Sequence, residues 1–399
     1  MEYNPNQAMR RQLIFSISIA TFLLIATIGL VSYGRGYRFN FNGGKPDFLG
    51  TGLLVVTSKP DGAQVFVNGH LTTATDNTIN LSPGDYTIRI FKDGYFPWEK
   101  KIKIQKEVVA KTDALLFPTA PKLESITNSG VRKPILDPSG TRLAYAEASQ
   151  SARKNGIYIL DLSTRPILTL QSSSQQITDD TADQFSNSNF SFSPDGSELI
   201  ATTSAQTSYL LDSRTFNASP RDVTATLASV DFSWNKEKSD REKAIMDSLT
   251  KELRKLIQDN FKVLEWSLDN SKVIYQASTS AQLPIVINPR LIGTNTSPEQ
   301  RKLDKGGIYV YDVKQDQNYK VDVKQPQNLH FFPDADHLIY VADQKIDIME
   351  YDGGNRTTIY AGPFEDSYAF PWPDSSKIVI LTNLGNPTIA PNLYTIVLK

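Results

Sequence analysis

The chain contains no cysteine. That absence removes disulfides, thiolate metal sites and cysteine nucleophiles together. Histidine is almost as scarce, at three in 399 residues, so imidazole chemistry has few places to reside. A formal net charge of −1 gives no overall field directed at nucleic acid or another strongly charged polymer. There is no Gly-x-Ser-x-Gly elbow, no His-Glu-x-x-His and no phosphate loop. Carboxylates are plentiful at 43, but nothing in their spacing marks out one pair of the kind glycoside hydrolysis needs. Two of the histidines, His330 and His337, flank Asp334 and Asp336. Pro333-Asp334 falls on a turn that recurs elsewhere in the chain, so the cluster reads as structure and not as a zinc site. No cofactor or metal is expected.

Charge is also missing from Leu13 to Tyr33, an apolar run long enough to cross hydrocarbon as a helix. Arg10 and Arg11 precede it, and Arg35 and Arg38 follow. Tyr33-Gly-Arg-Gly-Tyr37 is a poor cleavage site, which favours an uncleaved signal anchor over a removed leader. The expected organisation is a cytoplasmic tail at 1–12, a membrane helix at 13–33 and a stalk at 34–52, with everything after Tyr33 exported.

From 53 to 117 the pattern is that of short strands. Leu53-Leu-Val-Val-Thr57 and Val65-Phe-Val67 are separated by the turn sequence Ser58-Lys-Pro-Asp-Gly-Ala63, and Asn68-Gly69 is a two-residue hairpin signal. Lys101-Ile-Lys-Ile-Gln105 alternates as a strand with one wet face does. The block is expected to be a small β-sandwich. It resembles the PEGA domain through Pro60, Asp61, Gly62 and Ala63, with Asp in place of Glu, followed by Val65-Phe-Val-Asn-Gly69, Leu81-Ser-Pro-Gly-Asp-Tyr86 and Asp93-Gly94-Tyr95. The resemblance implies a non-enzymatic interaction or spacer module of exported bacterial proteins. Lys92, Lys100, Lys101, Lys103, Lys106 and Lys111 would either meet anionic polymer or headgroups, or form the solvated face of an edge strand, the blander choice.

The remainder, 118–399, carries a repeat. An aromatic or apolar strand enters a Pro-Asp-Gly-like turn and leaves as another apolar strand. The turn stands at Leu136-Asp-Pro-Ser-Gly140, Phe192-Ser-Pro-Asp-Gly196, Trp266-Ser-Leu-Asp-Asn270, Phe331-Phe-Pro-Asp-Ala335 and Pro371-Trp-Pro-Asp-Ser375. The repeat is similar to that of TolB-like and WD-like β-propellers, most closely at Phe192 to Gly196. The fold class expected is all-β: an apolar helix, a PEGA-like sandwich, then a propeller with one inserted helix. Five blades are expected, or six if Ser229-Val-Asp-Phe-Ser-Trp234 opens a unit of its own. Lys122 to Thr127 is expected to close the ring as the outer strand of the last blade. Trp234, Trp266 and Trp372 could stack on sugars, but Trp266 and Trp372 sit beside the repeat turns and are expected to pack between blades.

Two insertions, 236–260 and 281–305, interrupt the repeat beside its third unit. The first is expected to contain a helix over Ser239 to Gln258, opened by a Ser239/Glu242 capping box. By strand order both should leave the disc on the face opposite the Pro-Asp-Gly turns, as should the connection from Gln171 to Ser188. The binding residues expected there are Leu249, Leu253, Leu283, Ile285, Ile287, Arg290 and Leu291. The simpler alternative is that helix and loop cap each other. The partners expected are the membrane, through the N-terminal helix, and a protein, peptide or cell-wall polysaccharide, with no nucleic acid. Function is expected to be binding or scaffolding at the bacterial cell surface; the alternatives are an exported glycan-acting enzyme and a TolB-like envelope assembly factor.

Overall fold

The computed structural model describes residues 5–34, 38–42, 45–148, 151–163, 174–365 and 368–398. Calls that touch 1–4, 35–37 and 171–173 (the start of the tail, the cleavage sequence and Arg35, and the start of the Gln171 connection) lie outside the described residues. Helix α1 (Pro5–Gly34) contains the span Leu13–Ser32, twenty residues with a mean hydropathy of 2.4 and none of them buried in the protein. Ser18, Thr21 and Thr27 donate their hydroxyls to the carbonyls of Ile14, Ile17 and Leu23 one turn back, which hides these groups in an otherwise apolar surface. The expected stalk is a hairpin of β1 (Arg38–Asn42) and β2 (Lys45–Leu49), forming a two-stranded sheet of its own.

Two compact units follow from the packing. The first comprises Met1–Asp93, Pro97–Leu116 and Leu291–Ser297; the second comprises Gly94–Phe96, Phe117–Arg290 and Pro298–Lys399. In the first unit β3 (Gly52–Lys59), β4 (Gln64–Val67), β5 (His70–Ala74), β6 (Asn77–Leu81), β7 (Gly84–Phe91), β8 (Trp98–Ile104) and β9 (Val109–Leu115) make two sheets. Their orders are β6-β3-β9 and β5-β4-β7-β8, with β3 and β9 parallel. Leu54, Val56, Val65, Ile88, Ile90 and Ile104 are buried between less buried neighbours, the period-two alternation that lets each strand face a core and water at once. Strands β8 and β9 are both sheet edges, and Lys101, Lys103 and Lys111 stand exposed on them, as expected of a solvated edge.

The second unit holds five four-stranded sheets among the described residues. Sheet 1 is β11 (Val131–Leu136), β12 (Arg142–Glu147), β13 (Gly156–Asp161) and β14 (Ser174–Asp179). Sheet 2 is β15 (Asn189–Phe192), β16 (Glu198–Thr202), β17 (Ser208–Asp212) and β18 (Arg221–Asp222). Sheet 3 is β19 (Phe261–Trp266), β20 (Lys272–Ala277), β21 (Ile308–Asp312) and β22 (Gln317–Lys320). Sheet 4 is β23 (Leu329–Phe331), β24 (His337–Ala342), β25 (Lys345–Glu350) and β26 (Thr357–Ala361). Sheet 5 has β27 (Ala369–Pro371), β28 (Lys377–Thr382) and β29 (Asn392–Val397), and takes its fourth strand from β10 (Lys122–Ser125), paired to β29 with Leu123 opposite Ile396. This is the ring closure of a β-propeller: it removes the free edge that a terminal sheet would otherwise expose.

Each sheet turns from its first strand to its second in the same way. The backbone N–H groups of Asp137, Ser193, Ser267, Phe332 and Trp372 donate to the carbonyls of Arg142, Glu198, Lys272, His337 and Lys377. The residue three positions on returns a bond to the turn's first carbonyl, and there φ is positive in every case: Gly140 70°, Gly196 71°, Asn270 55°, Ala335 61° and Ser375 61°. The repeat is therefore a geometric requirement for a left-handed residue, met by glycine twice and by poorer residues three times. Left-handed backbone costs an L-residue about 1–2 kcal/mol, and glycine's extra unfolded-state entropy offsets about 0.5–1 of that. Ala335→Gly and Ser375→Gly are each expected to stabilise by about 0.5–1 kcal/mol, read as a melting shift of about 1–4 °C. Gly196→Ala should go the other way, because its new Cβ would meet Arg142 Nη2 at 3.0 Å and Asp137 Oδ2 at 3.1 Å.

Packing between sheets is direct in most of the ring. Leu143, Tyr145 and Leu160 of sheet 1 pack on Val379, Leu381 and Leu393 of sheet 5. The other face of sheet 1 meets Leu199, Ala201 and Leu211 of sheet 2, and sheets 3 and 4 join through Ile274, Val310, Leu338 and Met349. Beside sheets 2 and 3 helices intervene. The expected helix over 239–258 is instead two: α2 (Leu227–Ser248) and α3 (Lys251–Asn260). Ser229 to Trp234 is the first part of α2, not the start of a sixth blade, and Ser239 lies inside the helix without a capping role. The break falls at Leu249, whose extended backbone lets the Thr250 hydroxyl accept from Leu253 N and cap α3. Leu227, Val230 and Trp234 of α2 cover Ile200 and Leu210 of sheet 2 and Val223 just after it, while Leu253, Leu256 and Ile257 of α3 cover Val273, Tyr275 and Tyr309 of sheet 3.

Candidate functional site

The insertion 281–305 leaves sheet 3 at the expected end but does not stay there. It descends to the turn between β21 and β22, the end of the sheet that carries the Pro-Asp-Gly turns, since Val313 N donates to Ser271 O at 3.0 Å. The anchor is Asp316, a buried carboxylate in that turn. Its Oδ2 accepts from Val286 N at 2.7 Å and Ile287 N at 2.9 Å, and its Oδ1 accepts from Tyr311 Oη at 2.6 Å and Arg301 Nη2 at 2.9 Å. Arg301 also donates to the carbonyls of Asp316 and Pro284, and its Nε meets Glu299 Oε2 at 2.9 Å. Arg290 completes the net, donating to Glu299 Oε1 at 2.5 Å and Asp316 O at 3.1 Å. Burial on its own would raise the Asp316 carboxyl, but the bonds from Tyr311, Ile287, Arg301 and Val286 outweigh it and hold it below the usual carboxylate range.

This geometry sorts the expected binding residues. Leu253 and Leu283 are core, packed with Leu256, Ile257, Phe261 and Leu303, and Leu249 leans on the same cluster. They hold the insertion down and are not presented to a partner. Ile287 and Arg290 are half-buried and committed through Asp316, whereas Ile285 is 53 % exposed. Leu291 is exposed too, but it belongs with Leu291–Ser297 to the first unit, where the Thr296 hydroxyl donates to Lys101 O at 2.9 Å. The helix is likewise no ornament of one face: Arg241 of α2 donates to Pro194 O, on the Pro-Asp-Gly end of sheet 2, at 2.6 Å. Asp316, Arg301 and Glu299 escape sequence reading because they stand in polar stretches indistinguishable from ordinary turns.

First strands of neighbouring sheets touch, as strands converging on a propeller axis do. Lys133 Nζ donates to Asn189 Oδ1 at 2.7 Å, and Phe331 N donates to Glu265 Oε1 at 3.1 Å. Across β11, β15, β19, β23 and β27 the one carboxylate is Glu265. Its second oxygen bonds His330 Nδ1 at 2.8 Å. His337 Nδ1 meets Asp334 Oδ2 at 2.8 Å within the turn of sheet 4, and Asp336 pairs with Lys272 of sheet 3 at 3.0 Å, so the histidine-aspartate cluster is spent on that turn and on its contact with sheet 3. Trp234, Trp266 and Trp372 each pack against a core cluster.

These pairs set a pH profile. Hydrogen bonding to Glu265 raises His330; burial would lower His337, but Asp334, Glu350 and Asp336 raise it overall. Groups raised on folding add stability that is full below the unfolded value near 6.5 and is lost as pH rises through the folded value. Asp316 and Asp334 are lowered, and Asp195 is pulled down to about 2 by bonds from Ser193 and Ser197. Their contribution is full above about 4 and is lost as pH falls. The melting temperature is expected to peak between about pH 4.5 and 6.5; a steady rise to pH 8 would contradict the histidine assignments.

The Pro60 to Ala63 motif is a folding device. Ser58 Oγ donates to Pro60 O at 2.7 Å, Ala63 N donates to Thr75 Oγ1 at 2.9 Å, Gly62 takes φ 67°, and Ala63 is fully buried. Asp61 is exposed, and only its carbonyl is used, accepting from Lys92 Nζ at 2.6 Å.

No curated protein matches the chain. Among solved structures it is similar to TolB from Acinetobacter baumannii at 16 % identity and a TM-score of 0.24, covering 78 % of this chain and 59 % of that one. A putative TolB from Agrobacterium tumefaciens is similar at 16 % identity and a TM-score of 0.20, over 67 % of this chain and 72 % of that one. The chain thus spans less than two thirds of the first of these proteins. Residues 51–119 match the family model of the PEGA domain, which identifies that segment as a PEGA domain preceding the propeller.

Proposed function

We propose that this is a membrane-anchored, exported binding or scaffolding protein without catalytic activity. Helix α1 is its single span, with Arg10 and Arg11 on the cytoplasmic side, and the propeller engages a protein, peptide or wall polysaccharide. The observation that carries the non-enzymatic reading is the use of Glu265: the one carboxylate on the first strands of the five sheets is held by His330 and Phe331 N. Among the described residues of these five strands, Glu265 has no second carboxylate to pair with, as glycoside hydrolysis would need. The anchor reading is supported by an apolar span with none of its residues buried in the protein. Among the expected binding residues of the second unit, Ile285 is the one open to a partner.

Two experiments test it. Protease treatment of intact cells should release a fragment containing the propeller, and full protection would refute export. The exported region should retain a partner on affinity capture from envelope extracts, and Ile285→Glu should lose it while melting as the parent does. Capture unaffected by Ile285→Glu would remove this surface from the proposal.

A further inference from the structure

Neighbouring sheets of the second unit are clasped both near the axis and at the turn end, and sheets 2 and 3 lack both clasps. Between sheets 1 and 2, Lys133 Nζ reaches Ser188 O at 3.1 Å and Asn189 Oδ1 at 2.7 Å. Arg142, the first residue of β12, donates to Gly196 O and Ser213 Oγ, each at 2.6 Å. Between sheets 3 and 4 the corresponding places are taken by Glu265 with Phe331 N and by Lys272 with Asp336. In sheet 2 the residue aligned with Arg142 and Lys272 is Glu198, a carboxylate. Among the described residues it forms no ion pair, and no hydrogen bond joins sheet 2 to sheet 3. The core divides at the same place. Ile200, Leu210 and Val223 belong to one cluster and Val273, Tyr275 and Tyr311 to another, with no member shared. The link from β18 to β19 is also long, at 223–260, where 180–188 and 321–328 serve the neighbouring joints.

Helix α2 bridges this joint. Its first turns rest on sheet 2, and Met246 near its end leans on the cluster of sheet 3. Both ends are tied. Val223 N donates to Ser208 O at 2.8 Å, and Arg254 of α3 donates to the carbonyls of Met246, Asp247 and Leu249. Between those ties the hold is slight. None of the 22 residues of α2 is buried, whereas the shorter α3 buries Leu253, Leu256 and Ile257. Thr226 provides no side-chain cap and the first turn of α2 has no carboxylate, while α3 has its Thr250 cap and Glu252. A helix draws most of its stability from the face it packs, and elements with few buried contacts open first. We propose that α2 is a strap that unwinds between its tied ends while the five sheets stay folded, which makes the joint of sheets 2 and 3 the seam of the ring. Opening bares Ile200 and Leu210, an apolar surface of sheet 2 that the closed protein hides. The inference is independent of the anchor reading of α1 and of Ile285.

Hydrogen exchange of the full chain in detergent, read by mass spectrometry, tests the strap without any substitution. Backbone amides of 231–245 should exchange about tenfold faster or more than those of 255–260 and of β20. Thiol labelling tests the seam, and the chain has no cysteine of its own to interfere. Leu210→Cys lies under α2, and Val310→Cys lies in the packed joint of sheets 3 and 4. With both variants folded by circular dichroism, the first should be labelled about tenfold faster or more than the second. Exchange in α2 as slow as in α3 overturns the strap, whatever the thiol rates. Fast exchange in α2 with Leu210→Cys no more reactive than Val310→Cys means that the helix loosens without uncovering sheet 2, and overturns the seam.

Discussion

Asp316→Ala is expected to destabilise the propeller by about 3–5 kcal/mol, the loss typical when one partner of a buried ion pair is removed and the other stays behind. Arg301 would keep its buried position with no acceptor but Glu299 and two carbonyls, while Val286 N, Ile287 N and Tyr311 Oη would lose theirs. Denaturant unfolding measures this directly. Asp316→Asn keeps the shape and part of the bonding, and should fall between the alanine variant and the parent. The double variant Arg301→Met, Asp316→Leu should recover part of the loss, because no charge is then buried unpaired. A loss below about 1 kcal/mol for Asp316→Ala would mean that the insertion opens readily to water and that the pair is effectively a surface one.

The second large effect is expected at Phe261, where α3 passes into β19. Its ring stacks on Tyr275 with centroids 3.5 Å apart and meets Tyr311 edge-on at 5.6 Å. It lies in the cluster that joins sheet 3 to α3 and to Leu283 and Leu303 of the insertion. Phe261→Ala should cost about 3–5 kcal/mol through lost burial and the cavity left behind. Because the cluster holds both insertions, the variant should also raise proteolysis within 281–290 before the rest of the propeller unfolds. Uniform protection of that stretch would show that Asp316 holds it without help from the apolar cluster.

Much of the fold was legible because it depends on local chemistry that repeats. A turn needing a left-handed residue selects Gly140 and Gly196, and the aligned Asn270, Ala335 and Ser375 can be read by position. The closing strand followed from the cost of an open edge. The helix boundaries were misread because Ser239 and Glu242 imitate a cap, while Leu227, Val230 and Trp234, at helical spacing, point to a different sheet from Leu253, Leu256 and Ile257. A stripe that changes its partner midway shows no single period. The candidate site was less legible still. Leu283 and Ile285 are two residues apart in one apolar run, yet one is core and the other open, and the difference is imposed by Asp316, a residue some thirty positions further along.

Closing the ring with β10 has a consequence in time. Glu124 O accepts from Thr395 Oγ1 across 271 positions, and Gly130 N reaches Asn392 Oδ1 across 262. At a synthesis rate of about 5–20 residues per second, the early strand waits roughly 15–55 s for its partner to be made. Throughout that interval Leu123 and the edge of β10 have no β29 to pair with, and nothing in synthesis can shorten the delay. The demand for an attendant chaperone therefore falls on the early strand, long before the last sheet exists.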